Sequence, residues 1–337
     1  MKYIYKSGII VSLFLIILAI TTICIRVDNQ NHKTSIIGGD VKESQQIKET
    51  DEVLSRQTVS IMKEKRNNFN ETYFRPSTQK SLNNNFIDSN TFSETFKGGT
   101  VPAPLMDTPV KTIVNYFSVL QQSENLTDEK TGGCGTVGYA KEPYPIAYQF
   151  LSERNKKSMP YNEYLDSFQG IGHINLIKIV PIIAEDPKDI SYFLELEILE
   201  GTSTGGTSFN YYFAEMCLVN ENNRYYIDSL SLMPEDFFCA PYHGWSHNAE
   251  SYVEIVYGNW CGLIKKQYVP QQNEFTKEIV VDGVNGDKYM FKFAKLTNGT
   301  DFLINTLVQK EGAWVPVDID VDKCLQKMKR EKHSNRG

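Results

Sequence analysis

In the first folded half of this chain the hydrophobic period changes at Gly170 and Gly172, and that change fixes the fold class. Before it, Val110, Ile113, Val114, Phe117 and Leu120 recur at helical spacing and mark one buried stripe. Thr108-Pro109 opens that helix with a capping hydroxyl and a proline at the first helical position. A second helix is predicted from Pro145, with Ala147, Phe150 and Leu151 on one face, and a shorter one from Pro160 through Tyr161, Tyr164, Leu165 and Phe168. After the glycines the period is two. Residues 174–183, 192–199, 209–220 and 224–232 read as strands rich in β-branched and aromatic side chains. Asn220 to Asn223 forms a hairpin turn, because asparagine tolerates left-handed geometry. Helices followed by a run of strands specify α+β and argue against an alternating parallel sheet.

The second half repeats the pattern in shortened form. Residues 248–264 read as one helix, with Tyr252, Ile255, Val256 and Trp260 aligned, and strands follow at 278–281, 288–296, 302–309 and 314–319. The run YFLELEIL at 192–199 matches YMFKFAKL at 289–296 in pattern, and the closing strands end in Asp228 and Asp318. Pro316 places the last strand at an edge or a bulge.

Residues 9–25, IIVSLFLIILAITTICI, carry no charge. As a helix they span on the order of 26 Å, near the lower limit for a bilayer core. Lys2 and Lys6 precede the run and Arg26 is offset by Asp28, so the N-terminus is expected inside the cell and the bulk outside, with Tyr3 and Tyr5 in the interfacial belt. The residues after Leu18 offer a poor cleavage site, and Ile23 before Cys24 disfavours lipid attachment. Residues 1–26 are therefore expected to be a cytoplasmic tip and an uncleaved transmembrane helix. Residues 27–100 are polar, with no sustained period, and predict a disordered stalk, since such a stretch buries too little surface to offset chain entropy. Two folded modules are expected at 101–240 and 241–330, then a tail at 331–337. Lys327 to Lys332 read as a solvated, frayed end.

A net charge of −6 and a pI near 5.5 argue against nucleic acid as the main partner. Outside the apolar run stand Cys134, Cys217, Cys239, Cys261 and Cys324, an odd set that leaves at least one unpaired within a monomer. A Cys239–Cys261 disulfide and isolated buried thiols are both open readings. The sequons at Asn70, Asn125 and Asn298 matter only in a glycosylating pathway.

The unusual segment is Cys239-Ala-Pro-Tyr-His-Gly-Trp-Ser-His247. Cys239, His243 and His247 are candidate metal ligands by residue type, and Cys239 near His243 is a candidate thiolate. Pro241 and Gly244 make the segment a loop, where that spacing guarantees nothing. The favoured reading is an ordered connector with Tyr242 and Trp245 wedged between the modules. The glycine-rich loop 132–138 lacks the Gly-Lys-Ser/Thr of a phosphate loop. His173 is expected to be satisfied by local hydrogen bonds. No catalytic residue, cofactor site or metal site is assigned.

The helices around Val110, Ala147 and Tyr161, followed by strands from Ile174, resemble the NTF2-like superfamily over about residues 108–232, with a reduced second copy from Asn248 that lacks two helices. The resemblance implies cone-shaped modules, each a curved antiparallel sheet wrapped on a long helix. An anchor, a stalk and two such modules also look like TcpC and VirB8-type components of bacterial conjugation and secretion machines, where the modules are assembly surfaces. The expectation is a single-pass membrane protein with extracytoplasmic, non-enzymatic interaction modules, envelope protein partners and room for oligomerisation. The alternative is a small-ligand-binding protein or enzyme using the cone cavity. A pocket with convergent polar groups would favour it, and a cavity filled by Phe and Tyr would not.

Overall fold

The structure is a computed structural model describing residues 35–42, 74–76, 78–86, 89–132, 139–184, 186, 188–235 and 244–334. The apolar run 9–25 and most of the predicted stalk lie outside them. Among the described residues, no helix is long and apolar enough to cross a membrane.

The long helix forms where its cap predicts. Helix α2 (Pro109–Leu120), which follows a short α1 (Ser89–Thr95), begins with Thr108 Oγ1 accepting from the Lys111 amide at 3.3 Å. Ile113, Tyr116, Phe117 and Leu120 are buried, whereas Val110, in the first turn, stands exposed instead of joining the stripe. Next come α3 (Tyr144–Ala147), a 3-10 turn (Tyr148–Phe150), α4 (Glu153–Ser158) and α5 (Tyr161–Asp166). The sequence reading missed α4, whose cap is Ser152 Oγ accepting from the Asn155 amide at 3.0 Å.

Strands β3 (Ile171–Ile182), β4 (Ile190–Gly201), β5 (Thr207–Glu221) and β6 (Arg224–Pro234) follow as an antiparallel meander. Asn222 and Asn223 both adopt positive φ, 53° and 63°, as a tight hairpin demands. Bulges at Leu176/Lys178 and Cys217/Leu218 bend the strands. One face of this sheet, carrying Ile174, Leu176, Leu194, Leu196, Ile198, Ala214, Met216 and Leu218, packs with α2 in one core.

Two parts of the predicted stalk belong to this module instead. Strand β2 (Gly39–Val41), after β1 (Ser35–Ile36), adds to the sheet parallel to β6. Ile37 is fully buried at φ 55°, unusual for a β-branched residue. A side chain at Gly39 would place its Cβ 2.7 Å from the Leu230 carbonyl oxygen. Residues 74–76, 78–86 and 89–100 also belong to the module. Asn83 Nδ2 donates to the Ile174 and Phe117 carbonyls at 2.9 and 3.0 Å, and its Oδ1 accepts from the Leu176 amide at 3.0 Å, which covers the edge of β3. Phe86, Phe92 and Phe96 are buried, each adding a ring to the core. The composition misleads here because this segment docks on a core formed by others, so it need not build its own.

The second module opens with a 3-10 turn (Gly244–His247) and α6 (Ala249–Tyr252), which runs into a π-helix (Val253–Trp260), where an ordinary α-helix to residue 264 was predicted. Its wider turn shows in Cys261 N donating to the Val256 carbonyl at 3.1 Å. Strands β7 (Ile264–Gln267), β8 (Gln271–Gln272), β9 (Thr276–Gly283), β10 (Lys288–Lys295), β11 (Asp301–Lys310) and β12 (Ala313–Pro316) form the second sheet, in the order β12-β11-β10-β9-β7 with β8 beside β9. Pro316 lies on the edge strand, as it must. Tyr257 stacks on Phe291 with centroids 4.1 Å apart, inside a core of Val253, Val256, Ile279, Val281 and Phe293. Helix α7 (Val321–Ser334) closes the described chain where a frayed end was expected.

Cys261 is bonded to Cys324 at the start of α7, across 63 positions of sequence, with Cα atoms 4.6 Å apart. This replaces the Cys239–Cys261 pairing, since Cys261 is already bonded to a partner much farther away in sequence. Cys217 is a free, half-buried thiol beside Ser191 Oγ, while Cys24, Cys134 and Cys239 lie outside the described residues.

Candidate functional site

The interior of the first module is where a cone would hold a ligand, and here it is filled. Tyr116, Phe117, Tyr144, Phe150, Tyr164 and Phe168 are all fully buried. Their rings meet edge-on or tilted: Tyr116 with Phe150 at 6.0 Å, Tyr144 with Phe168 at 4.8 Å, and Tyr164 with Phe168 at 5.0 Å. The Tyr116 and Tyr164 hydroxyls hydrogen-bond to each other at 3.2 Å. Burial pushes the Tyr116, Tyr144 and Tyr164 phenols far above the ordinary tyrosine range, so at neutral pH they hold their protons. Asp228, in the middle of β6, is engaged as well. It accepts from Ser152 Oγ at 2.7 Å and Arg154 Nε at 3.0 Å, tying α4 to β6.

The opposite face of the first sheet carries two polar assemblies. In one, Glu197 accepts from Arg75 Nη2 at 2.6 Å, Tyr211 Oη at 2.6 Å and Asn175 Nδ2 at 2.8 Å. Asn175 Oδ1 is in turn paired with His173 Nε2 at 3.1 Å, the local partner expected for that histidine. Burial lowers the His173 pKa. Burial would raise the Glu197 carboxyl, but the hydrogen bonds from Arg75, Tyr211 and Asn175, with the guanidinium charge, outweigh it and hold it below its usual value. The assembly fastens the N-terminal strap to the sheet.

The second assembly joins the two modules. Phe193 and Phe213 of the first sheet meet Phe302 of β11 at 5.8 and 4.2 Å, within a cluster that includes Val180, Ala294 and Leu296. The Asn305 side chain acts as a surrogate strand, accepting from the Ile183 amide at 3.0 Å and donating to its carbonyl at 2.9 Å. Lys178 Nζ, nearly sealed from solvent, donates to the Lys295 carbonyl at 2.7 Å and lies 2.6 Å from Glu195 Oε2. Glu195 Oε1 accepts from the Thr297 amide at 2.7 Å. Apolar contact, backbone-like pairing and a buried ion pair thus act together across this junction.

An open groove of about 340 Å³ lies between α4 and the β5–β6 hairpin. Val101, Met106, Leu151 and Tyr226 line it together with Glu153, Lys156, Glu221 and Arg224.

The predicted metal candidates do not assemble in the described part. His247 Nδ1 pairs with Thr300 Oγ1 at 3.3 Å, Cys239 and His243 lie outside the described residues, and among those described no group of three ligating side chains occurs. Trp245 does not wedge between the modules. It packs within the second one, on Trp260 at 5.7 Å and Tyr252 at 6.3 Å, because the second core offers aromatic partners and the junction is already filled. Tyr242 and the loop 133–138 are outside the described residues. The sequon asparagines Asn125 and Asn298 are buried, and Asn125 Nδ2 donates to the Leu165 carbonyl at 3.1 Å.

No protein-family model and no curated protein matches the chain. Among solved structures it is similar to one described as an NTF2-like protein involved in plasmid conjugation, at 10% identity over 61% of this chain and 94% of that one, with a TM-score of 0.20. So low a score decides nothing about this chain's function or partners.

Proposed function

We propose that this chain is a membrane-tethered, non-enzymatic interaction and assembly protein, anchored by residues 9–25 and carrying two NTF2-like modules outside the cytoplasm. The observation that carries this reading is the filled cone: Tyr116, Phe150, Tyr164 and Phe168 occupy the volume a substrate would need. Surface, not cavity, is then what the fold has to offer. The Cys261–Cys324 disulfide adds support, since such bonds persist in oxidising compartments. The sequence resemblance to TcpC and VirB8-type proteins gives the partners their class, other proteins of a bacterial envelope, conjugation or secretion complex.

Crosslinking of intact host cells, affinity capture of the tagged full-length chain and mass spectrometry test this directly. A defined set of envelope proteins is the expected recovery. Recovery of the chain alone overturns the assembly reading and turns attention to the groove between Glu153 and Arg224 as a small-ligand site.

A further inference from the structure

The turn between β1 and β2 breaks a local rule. Ile37 and Gly38 form a two-residue turn with φ of 55° and 73°, a conformation that asparagine and glycine take readily and a β-branched residue resists. The turn itself does not call for isoleucine. Its presence is explained by the first core, where Ile37 is fully buried. A local cost offset by a contact far away in sequence points to a role in recognition.

The surface that receives the turn has the parts of a peptide-binding seat. The Ile37 amide donates to the Ser167 carbonyl at 3.1 Å, and the Gly38 amide donates to Ser167 Oγ at 2.7 Å. Ser167 Oγ is itself aimed by donating to the Tyr164 carbonyl at 2.6 Å. Strand β2 then pairs in parallel with β6 through Asp40↔Ser231 and Val41↔Leu232, and the Lys42 amide donates to the Leu232 carbonyl at 2.9 Å. Main-chain pairing of this kind supplies affinity, and side-chain contacts supply specificity. Ile37 is the anchor. The next two positions demand glycine: a Cβ at Gly38 would lie 2.7 Å from Tyr164 Cε2, and one at Gly39 would lie 2.7 Å from the Leu230 carbonyl oxygen. The seat therefore selects an aliphatic residue followed by two glycines, which this chain supplies as Ile37-Gly38-Gly39.

Residues 36–41 form a clip with a long connection to the rest of the module. Residues 43–73, 31 in number, separate it from Phe74 and Arg75, which have their own contacts with Tyr211 and Glu197. At full extension that length reaches on the order of 100 Å. A clip seated on a second copy would make the same contacts that it makes at home. Exchange between copies therefore sacrifices no bond, and concentration decides it.

We propose that residues 36–41 of one copy occupy the seat formed by Ser167, Tyr164 and β6 of another, so that the chain self-associates by exchanging its clip. Reciprocal exchange fills both seats and closes at a dimer. Contact between copies is independent of whatever envelope proteins the chain binds.

Sedimentation of the full-length chain in detergent tests it, with a synthetic peptide of residues 34–42 as competitor. The wild type is expected to show a concentration-dependent dimer, which excess peptide converts to monomer. The same peptide carrying Gly39→Val is expected to leave the dimer intact, because its side chain meets the Leu230 carbonyl. Ile37→Asp in the full-length chain removes the anchor and is expected to weaken dimerisation by about tenfold or more. A wild type that stays monomeric at every concentration overturns the proposal, and so does a dimer that both peptides, or neither, dissociate. If Ile37→Asp folds and dimerises as the wild type does, the exchange is ruled out. If that variant does not fold, the two peptides acting on the wild type decide alone.

Discussion

Arg75 and Glu197 show how one side-chain pair can hold a segment that its own composition would leave loose. Their contact is largely buried, with the Glu197 side chain 5% exposed and that of Arg75 17% exposed. Removing the guanidinium leaves a carboxylate in the sheet face with only Tyr211 and Asn175 to serve it. Arg75→Ala is therefore expected to lose about 3 kcal/mol in urea unfolding at neutral pH. Because the folded-state pKa of Glu197 is depressed, its contribution is present above the unfolded pKa and lost as pH falls through the folded one. The gap between wild type and Arg75→Ala should then shrink in acid, and a gap that widens there would refute the latch. Gly39→Ala tests a different constraint, proximity. Its Cβ would press on the Leu230 carbonyl, so exchange at the Lys42 amide, which donates to the Leu232 carbonyl, should accelerate while β4 stays protected. Neither latch nor clip was legible in the sequence. Ile36-Ile37-Gly38-Gly39 and Arg75 sit alone among polar residues, and each finds its partner more than a hundred positions away. A local period cannot report such contacts. The one available signal was the apolar pair followed by two glycines.

At the scale of elements, what the sequence made legible is what local chemistry decides. Thr108-Pro109 starts its helix, Asn222-Asn223 turns its hairpin, and each strand of the first meander lies within a few residues of its predicted span. Local chemistry also suggested an α-helix from Asn248, and Asn248 does cap one, its Oδ1 accepting from the Ser251 amide at 3.0 Å. The turn then widens into a π-helix, which periodicity does not encode, although the residues it buries, Val253, Val256 and Tyr257, keep the i, i+3, i+4 spacing of one helical face. The end of that π-helix carries Cys261, so α7 is tied to it covalently. Most of α7 is exposed, and Val321 at its start is the residue that packs on the core. Reduction of the disulfide is expected to free α7 before the sheet responds, read as rapid exchange over Val321–Ser334. Loss of a cross-link spanning 63 positions should lower the stability of the second module by about 4 kcal/mol. Unchanged protection of α7 after reduction would show that packing alone holds it.

For the whole molecule, the junction decides whether the modules act separately or as one body. Phe302 stands between Phe193 and Phe213, so Phe302→Ala opens a cavity at the centre of the contact. A cost of about 3 kcal/mol is expected, and calorimetry should show one transition for the wild type and two for the variant. Two transitions already present in the wild type would show that the contact does not couple the modules. The candidate site followed the same pattern of legibility. The aromatic filling of the first module could be anticipated from Tyr164 and Phe168, whereas the buried Lys178–Glu195 pair could not, since a period of two assigns faces of a strand but not what covers them. The parallel seat of β2 on β6 has a mechanical meaning. Tension entering from the N-terminal side meets the two register pairs Asp40↔Ser231 and Val41↔Leu232 before it reaches the long antiparallel ladders of β3 to β6. So short a clip yields first, releasing up to about 3.5 Å of slack per freed residue. Arg75 and Asn83 hold the sheet independently of that clip, so pulling on the chain from its N-terminal side is expected to free β2 while the core stays folded.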